Sequence, residues 1–227
     1  MDDNGACPCS HMFTSCWKDS WVLKDGEVLS YTVNFAYNSL RRGWEGKNVI
    51  VFKQLWRCKA LPSALVTVWR VLENKLATRI NLEKREIAVE SPLCSLCRVE
   101  VESNSHLFFE CRFVWLVWSR CFAWLGVQFV SHNDPLLNFS QFRLWNVSAS
   151  ANEMWGVIWT AVVRELWKHR NNVIFNGGVV NGLKVVALVQ VKVWSWITSK
   201  FLSGLFSFFK WCLEPLVCMT MVSWYIF

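Results

Sequence analysis

The sequence predicts a mainly α fold, and three observations predict it. From Leu61 onward apolar residues recur at helical spacing, in runs closed by Gly126 and by Gly177-Gly178. β signals are confined to two short stretches, about 21–33 and 94–101. Hydrophobic residues make up 53% of a 227-residue chain with 16 tryptophans, which is enough to bury a sizeable core and excludes a disordered tail.

In chain order, residues 1–16 hold Cys7, Cys9, His11 and Cys16. A one-residue gap between Cys7 and Cys9 suits shared chelation poorly, so this stretch reads as a ragged terminus. Trp21 to Val33 alternates around Asp25-Gly26, a turn dipeptide, and predicts a short β-hairpin. Val33, Tyr37 and Leu40 stand at helical spacing before Gly43. Residues 49–59 predict a short helix with Val51, Leu55 and Trp56 on one face. Pro62 is placed as the first residue of the next helix, whose core stripe reads Leu61, Leu65, Val68, Trp69, Leu72 and Leu76. A second wide stripe takes in Leu107, Phe108, Val114, Trp115, Trp118, Phe122 and Leu125. A polar loop over 127–150 follows, then a helix of about 152–175 with capping-box spacing at Ser150 and Glu153, and a last helix of about 181–202. The domain reading is therefore 1–16 terminus, 17–126 domain, 127–150 linker and 151–227 helical region. The apolar tail 201–227 is interrupted by Glu214 and Pro215, leaving an uncharged run short of the ~20 residues that a spanning helix needs.

The stretch Cys94 to Cys111, CSLCRVEVESNSHLFFEC, carries the chemistry. Cys94 and Cys97 flank one tight turn, and His106 and Cys111 follow closely enough to complete a tetrahedron of three thiolates and an imidazole. Zinc suits that donor set, and a site closed by four protein ligands is structural. A Cys94–Cys97 disulfide would require an oxidising compartment, and a thioredoxin-like pair a βαβ context that the flanks lack. Buried, unligated cysteines stay open on spacing alone. The ligand spacing also constrains the backbone. Residues five apart on an α-helix point about 140° away from each other, so the chain from His106 to Cys111 must form a widened turn or the helix must start late.

Charge bounds the partners. The net charge is +7, while charged residues are only 18% of the chain. Between Lys53 and Arg85 eight Lys/Arg stand against two Asp/Glu, which makes Arg57, Lys59, Arg70, Lys75, Arg79, Lys84 and Arg85 the candidate contacts for RNA or DNA. The metal stretch itself has one Arg against three Glu, a poor surface for gripping phosphates. Ten cysteines and an acidic, polar opening lead to the expectation of an intracellular protein rather than a secreted one. No catalytic constellation is visible around the four histidines, so a non-enzymatic role is expected.

Five blocks, SYTVNFAYNSL, FKQLWRCKALP, VTVWRVLENKLATRINLEKREI, CSLCRVEVESNSHLFFEC and WTAVVRELWKHRNNVIF, carry a family likeness. The segment from Trp21 to about Trp118 resembles the reverse-transcriptase zinc-binding domain of plant LINE-type non-LTR retrotransposons. The last block resembles a Trp-x-x-Arg-Asn-x-x-x-Phe stretch found downstream in these elements, here Trp167, Arg170, Asn171 and Phe175. Ser63 and Ala64 stand where the family usually has a lysine, and Ser95 where the first metal pair usually holds a proline. The resemblance implies zinc on Cys94, Cys97, His106 and Cys111, and a detached C-terminal part of a retroelement reading frame. It also implies non-specific nucleic-acid binding or, alternatively, a structural module that packed on a reverse-transcriptase polypeptide.

Overall fold

The computed structural model describes residues 13–17, 20–23, 28–30, 49–144, 149–201 and 205–224. The chain divides into two compact units, Met1–Ile50 and Val51–Phe227. In the first, β1 (Phe13–Trp17), β2 (Ser20–Leu23) and β3 (Val28–Ser30) form an antiparallel sheet in the order β1-β2-β3. The two-stranded hairpin expected over 21–33 is not supported in that form. β2 is the middle strand of three, pairing Trp21 with both Cys16 and Leu29. The turn pair Asp25-Gly26 and residues 31–33 lie outside the described residues, as do Cys7, Cys9, His11, Tyr37 and Leu40.

The second unit is helical. Its elements are α1 (Val49–Arg57, which begins at the unit boundary), α2 (Pro62–Leu72), α3 (Arg79–Glu83), α4 (Arg112–Leu125), α5 (Pro135–Gln141), α6 (Ala149–Asn176), α7 (Gly182–Phe201), α8 (Phe208–Leu213) and α9 (Pro215–Trp224). The long α6 is its axis, packed by α2, α7 and α9. Every residue from Met154 to Val163 is buried. That stretch is apolar on every side and is surrounded by other helices, so it shows little amphipathic signal. Gly177, at φ 62°, ends α6 in the left-handed conformation that glycine adopts without strain. Ser150 falls inside α6 rather than before it, so it is not the cap that its spacing with Glu153 predicted.

Several expected stripes were drawn too wide. Val51 and Leu55 are buried, whereas Trp56 is 52% exposed, and Leu61 and Trp115 also face solvent. The expected loop over 127–150 contains a helix, α5. The Asp134 side chain accepts from the Leu137 N–H at 2.8 Å, and Pro135 occupies the first turn. Asn138 on α5 is buried, accepting from the Trp159 indole at 2.8 Å and donating to the His132 carbonyl at 2.8 Å. The apolar tail folds back on the unit: Trp211 is fully buried and donates to the Gln190 carbonyl, and Trp124 donates to the Cys212 carbonyl. No helix among the described residues is long and apolar enough to cross a membrane.

The loop after α1 meets α6 at a glycine. A Cβ added at Gly156 would stand 2.4 Å from Cys58 Sγ, so this crossing tolerates no side chain. Burial, with the Glu153 carboxylate adding to it, pushes the Cys58 thiol up to about 12, so it is a packing group. Gly156→Ala is expected to destabilise the protein by about 1–3 kcal/mol through overpacking, although alanine is the better helix former. Chemical denaturation of the variant beside the parent checks this.

Candidate metal centre

The site is assembled from a turn and a helix start. Leu93 bridges Val101 in antiparallel sense, and the Glu102 N–H donates to the Pro92 carbonyl at 2.9 Å. Inside this clasp the Cys94 N–H bonds the Glu100 carbonyl, and the Arg98 N–H bonds the Cys94 carbonyl, both at 2.8 Å. Arg98 takes the left-handed conformation at φ 58° to turn the chain back. The N–H groups of Leu96 and Cys97 then point at Cys94 Sγ, and this is how two residues of spacing bring both sulfurs to one place. The single Leu93–Val101 bridge is the only β pairing described in the stretch where a short strand was expected.

The other half of the site answers the five-residue spacing. Ser103 Oγ accepts from the His106 N–H at 2.9 Å and starts a helical turn. His106–Glu110 then forms a π-helix, closed by the Cys111 N–H to His106 carbonyl bond at 2.9 Å. An i to i+5 bond stacks residues five apart, where an α-turn would splay them. The chain straightens at Cys111 (φ −60°, ψ 129°), which is the N-cap of α4. Its sulfur faces the N–H groups of Phe113 and Val114, in the positive field of a helix start. The Phe108 carbonyl, inside the widened turn, accepts from the Trp118 indole at 2.9 Å, so the turn is tied to the aromatic core.

The ligand atoms of Cys94, Cys97, His106 and Cys111 all lie within 4.8 Å of one another. Cys97 Sγ and His106 Nε2 are 3.3 Å apart. Tetrahedral zinc, with bonds of about 2.3 Å to sulfur and 2.0 Å to nitrogen, would separate such a pair by about 3.5 Å. The donor set and its size therefore fit zinc. Cys94 and Cys111 are fully buried and His106 nearly so. The Cys94 thiol donates to the Cys111 sulfur. That bond, more than burial, raises the Cys94 pKa above the ordinary thiol range. The same bond holds the Cys111 pKa below it, against the effect of burial.

A second constellation escaped the sequence reading. Glu102, counted there only as one of three acids in the metal stretch, is fully buried and paired with Arg170 of α6, which is 3% exposed. The pair is two-pronged: Nη2 reaches Oε1 at 2.5 Å and Nε reaches Oε2 at 3.3 Å. Oε1 also accepts from the Arg79 backbone N–H at 3.1 Å, while Arg170 donates to the Ala77 carbonyl at 3.4 Å and lies over the Trp167 ring. The clasp that carries Cys94 and Cys97 is thereby bolted to α6. The charge count of the metal stretch changes accordingly, since Glu102 is neutralised from within. The signal was present in the Trp167–Arg170–Asn171 block, but nothing in it named a partner 68 residues away.

The seven candidate nucleic-acid residues do not share one role. Arg57, Lys59, Arg70, Lys75, Lys84 and Arg85 are exposed. Lys75 stands over the Trp69 ring, and Arg85 donates to the Lys75 carbonyl at 2.9 Å, so these two are neighbours. Arg79 is half-buried and lines a pocket instead.

Residues 31–118 match the family described as zinc-binding in reverse transcriptase, which supports a reverse-transcriptase zinc-binding domain over that span. The matched segment contains all four clustered residues and ends at Trp118, the residue that holds the widened turn. No curated protein and no solved structure matches the chain.

Proposed function

We propose that this chain is a non-catalytic zinc-binding module derived from a retrotransposon reverse transcriptase of the plant LINE type, and that it binds RNA or DNA without sequence specificity. The observation that carries the zinc assignment is the convergence of Cys94, Cys97, His106 and Cys111 inside the matched segment. With four protein ligands zinc keeps no open position for water or substrate, so its role is to staple the Pro92–Trp118 region and not to activate a nucleophile. Nucleic-acid binding is supported by the exposed basic residues from Arg57 to Arg85, against a metal stretch that offers one exposed arginine, Arg98.

The alternative, a module whose tryptophans packed on a polymerase, has less support. Trp118, Trp155, Trp159, Trp196 and Trp211 are buried in the chain's own core, and Trp56 and Trp115 are the tryptophans more than half exposed among those described. A filter-binding titration across salt concentrations tests the reading. Affinity for single-stranded RNA is expected to fall steeply with salt, with a log–log slope of about 0.7 per phosphate contacted. Lys84→Ala with Arg85→Ala should lower affinity and flatten that slope. Salt-independent binding, or none, would transfer support to the interaction module.

A further inference from the structure

Beside the metal turn, with the backbone turn of Cys94 on its lining, lies an open pocket of about 670 Å³ between the 88–98 segment, α3 and the end of α6. That volume is in the range of small-ligand sites. Three arginines line it, and they differ in state. Arg170 is committed to Glu102. Among the described residues neither Arg79 nor Arg98 makes a side-chain ion pair or hydrogen bond, although the pocket also has one acid on its lining, Glu90. Arg79 Nε and Ser95 Oγ are buried atoms with no partner, a costly arrangement unless an acceptor arrives. Apart from Ser91, the remaining wall is apolar, running through Leu93 and Ile174 to Phe175, which is 74% exposed. Guanidinium groups without carboxylates, orphaned donors and an exposed ring on an apolar wall match a phosphate joined to a flat base.

We infer that this pocket seats one nucleotide of a single-stranded nucleic acid, with its phosphate on Arg79, Arg98 and Ser95 Oγ and its base against Ile174 and Phe175. The inference rests on the nucleic-acid reading above and gives it a place. A base held in a duplex cannot enter such a pocket without leaving its stack, so single strands are preferred. Ser95 and Arg98 stand on the turn that zinc would staple, so metal binding also forms one side of the pocket.

The test is fluorescence anisotropy of a labelled short single strand and of its duplex, titrated with the zinc-loaded full chain. Arg98→Gln and Phe175→Ala change exposed side chains, so they should keep the parent's zinc content and melting temperature. Each is expected to weaken single-strand binding about tenfold, with little change for duplex. Lys59→Ala, outside the pocket, should weaken both substrates alike. If both pocket variants bind single strands as the parent does while Lys84→Ala and Arg85→Ala lose affinity, the pocket is overturned and the general nucleic-acid reading stands. If the parent binds neither substrate, both fall.

Discussion

Replacing Cys94 or Cys111 by serine, or stripping the chain with a strong chelator, is expected to unfold the region from Pro92 to Trp118. Structural zinc contributes on the order of ten kcal/mol of apparent folding energy, comparable to the whole stability of a domain. The size of the effect follows from where the ligands sit. Cys94 and Cys111 are fully buried, and the π-turn between His106 and Cys111 puts Leu107, Phe108 and Phe109 into the core. Releasing the metal frees both ends of that turn at once. Cys121→Ala is the control, because Cys121 is equally buried but is not one of the four clustered ligand residues. It should cost only the transfer and cavity terms of a small side chain, about 1–2 kcal/mol. Thermal melts with and without chelator separate the cases: the parent should lose its transition on chelation, and Cys121→Ala should lose it in the same way from a slightly lower start.

The second large effect is expected at Arg170. Arg170→Met leaves the Glu102 carboxylate buried without its counter-ion, and breaking such a pair from one side costs about 3–5 kcal/mol. Adding Glu102→Gln to that variant should recover most of the loss. The amide removes the stranded charge and still accepts from the Arg79 N–H. Arg170→Lys should not rescue, since a single ammonium cannot reproduce the two-pronged contact while also reaching the Ala77 carbonyl. Urea denaturation of the parent, Arg170→Met, Glu102→Gln and the double variant gives the cycle, with Arg170→Lys measured beside them. A double variant no more stable than Arg170→Met would show that the loss comes from packing on Trp167 rather than from charge.

The clustering of Cys94, Cys97, His106 and Cys111 was legible because metal chemistry fixes residue type and spacing together. The same spacing forced the widened turn, and its form as a π-helix follows from the i to i+5 bond that brings His106 and Cys111 to one side. Partners distant in sequence were not legible. Glu102 and Arg170 each look like surface charges when read locally, and only the packing of α6 against the metal clasp makes them one unit. Helix α5 was missed although Asp134-Pro135 is a good start signal, because the polar residues around it read as loop. Trp56, Leu61 and Trp115 were assigned to the core because periodicity gives the direction of an apolar stripe but not its width. In the central α6 the stripe Trp155, Ile158, Trp159, Val162 and Leu166 is buried as its spacing predicts, but burial extends all round the helix from Met154 to Val163, which periodicity does not reveal.

The most direct test of the zinc staple is metal analysis of purified protein, by inductively coupled plasma mass spectrometry, for the parent and for Cys111→Ser. Four convergent ligands predict one zinc per parent chain after dialysis, and a large loss of bound zinc in the variant. Parent protein that holds no zinc, yet melts cooperatively at a temperature a chelator does not change, would contradict the account.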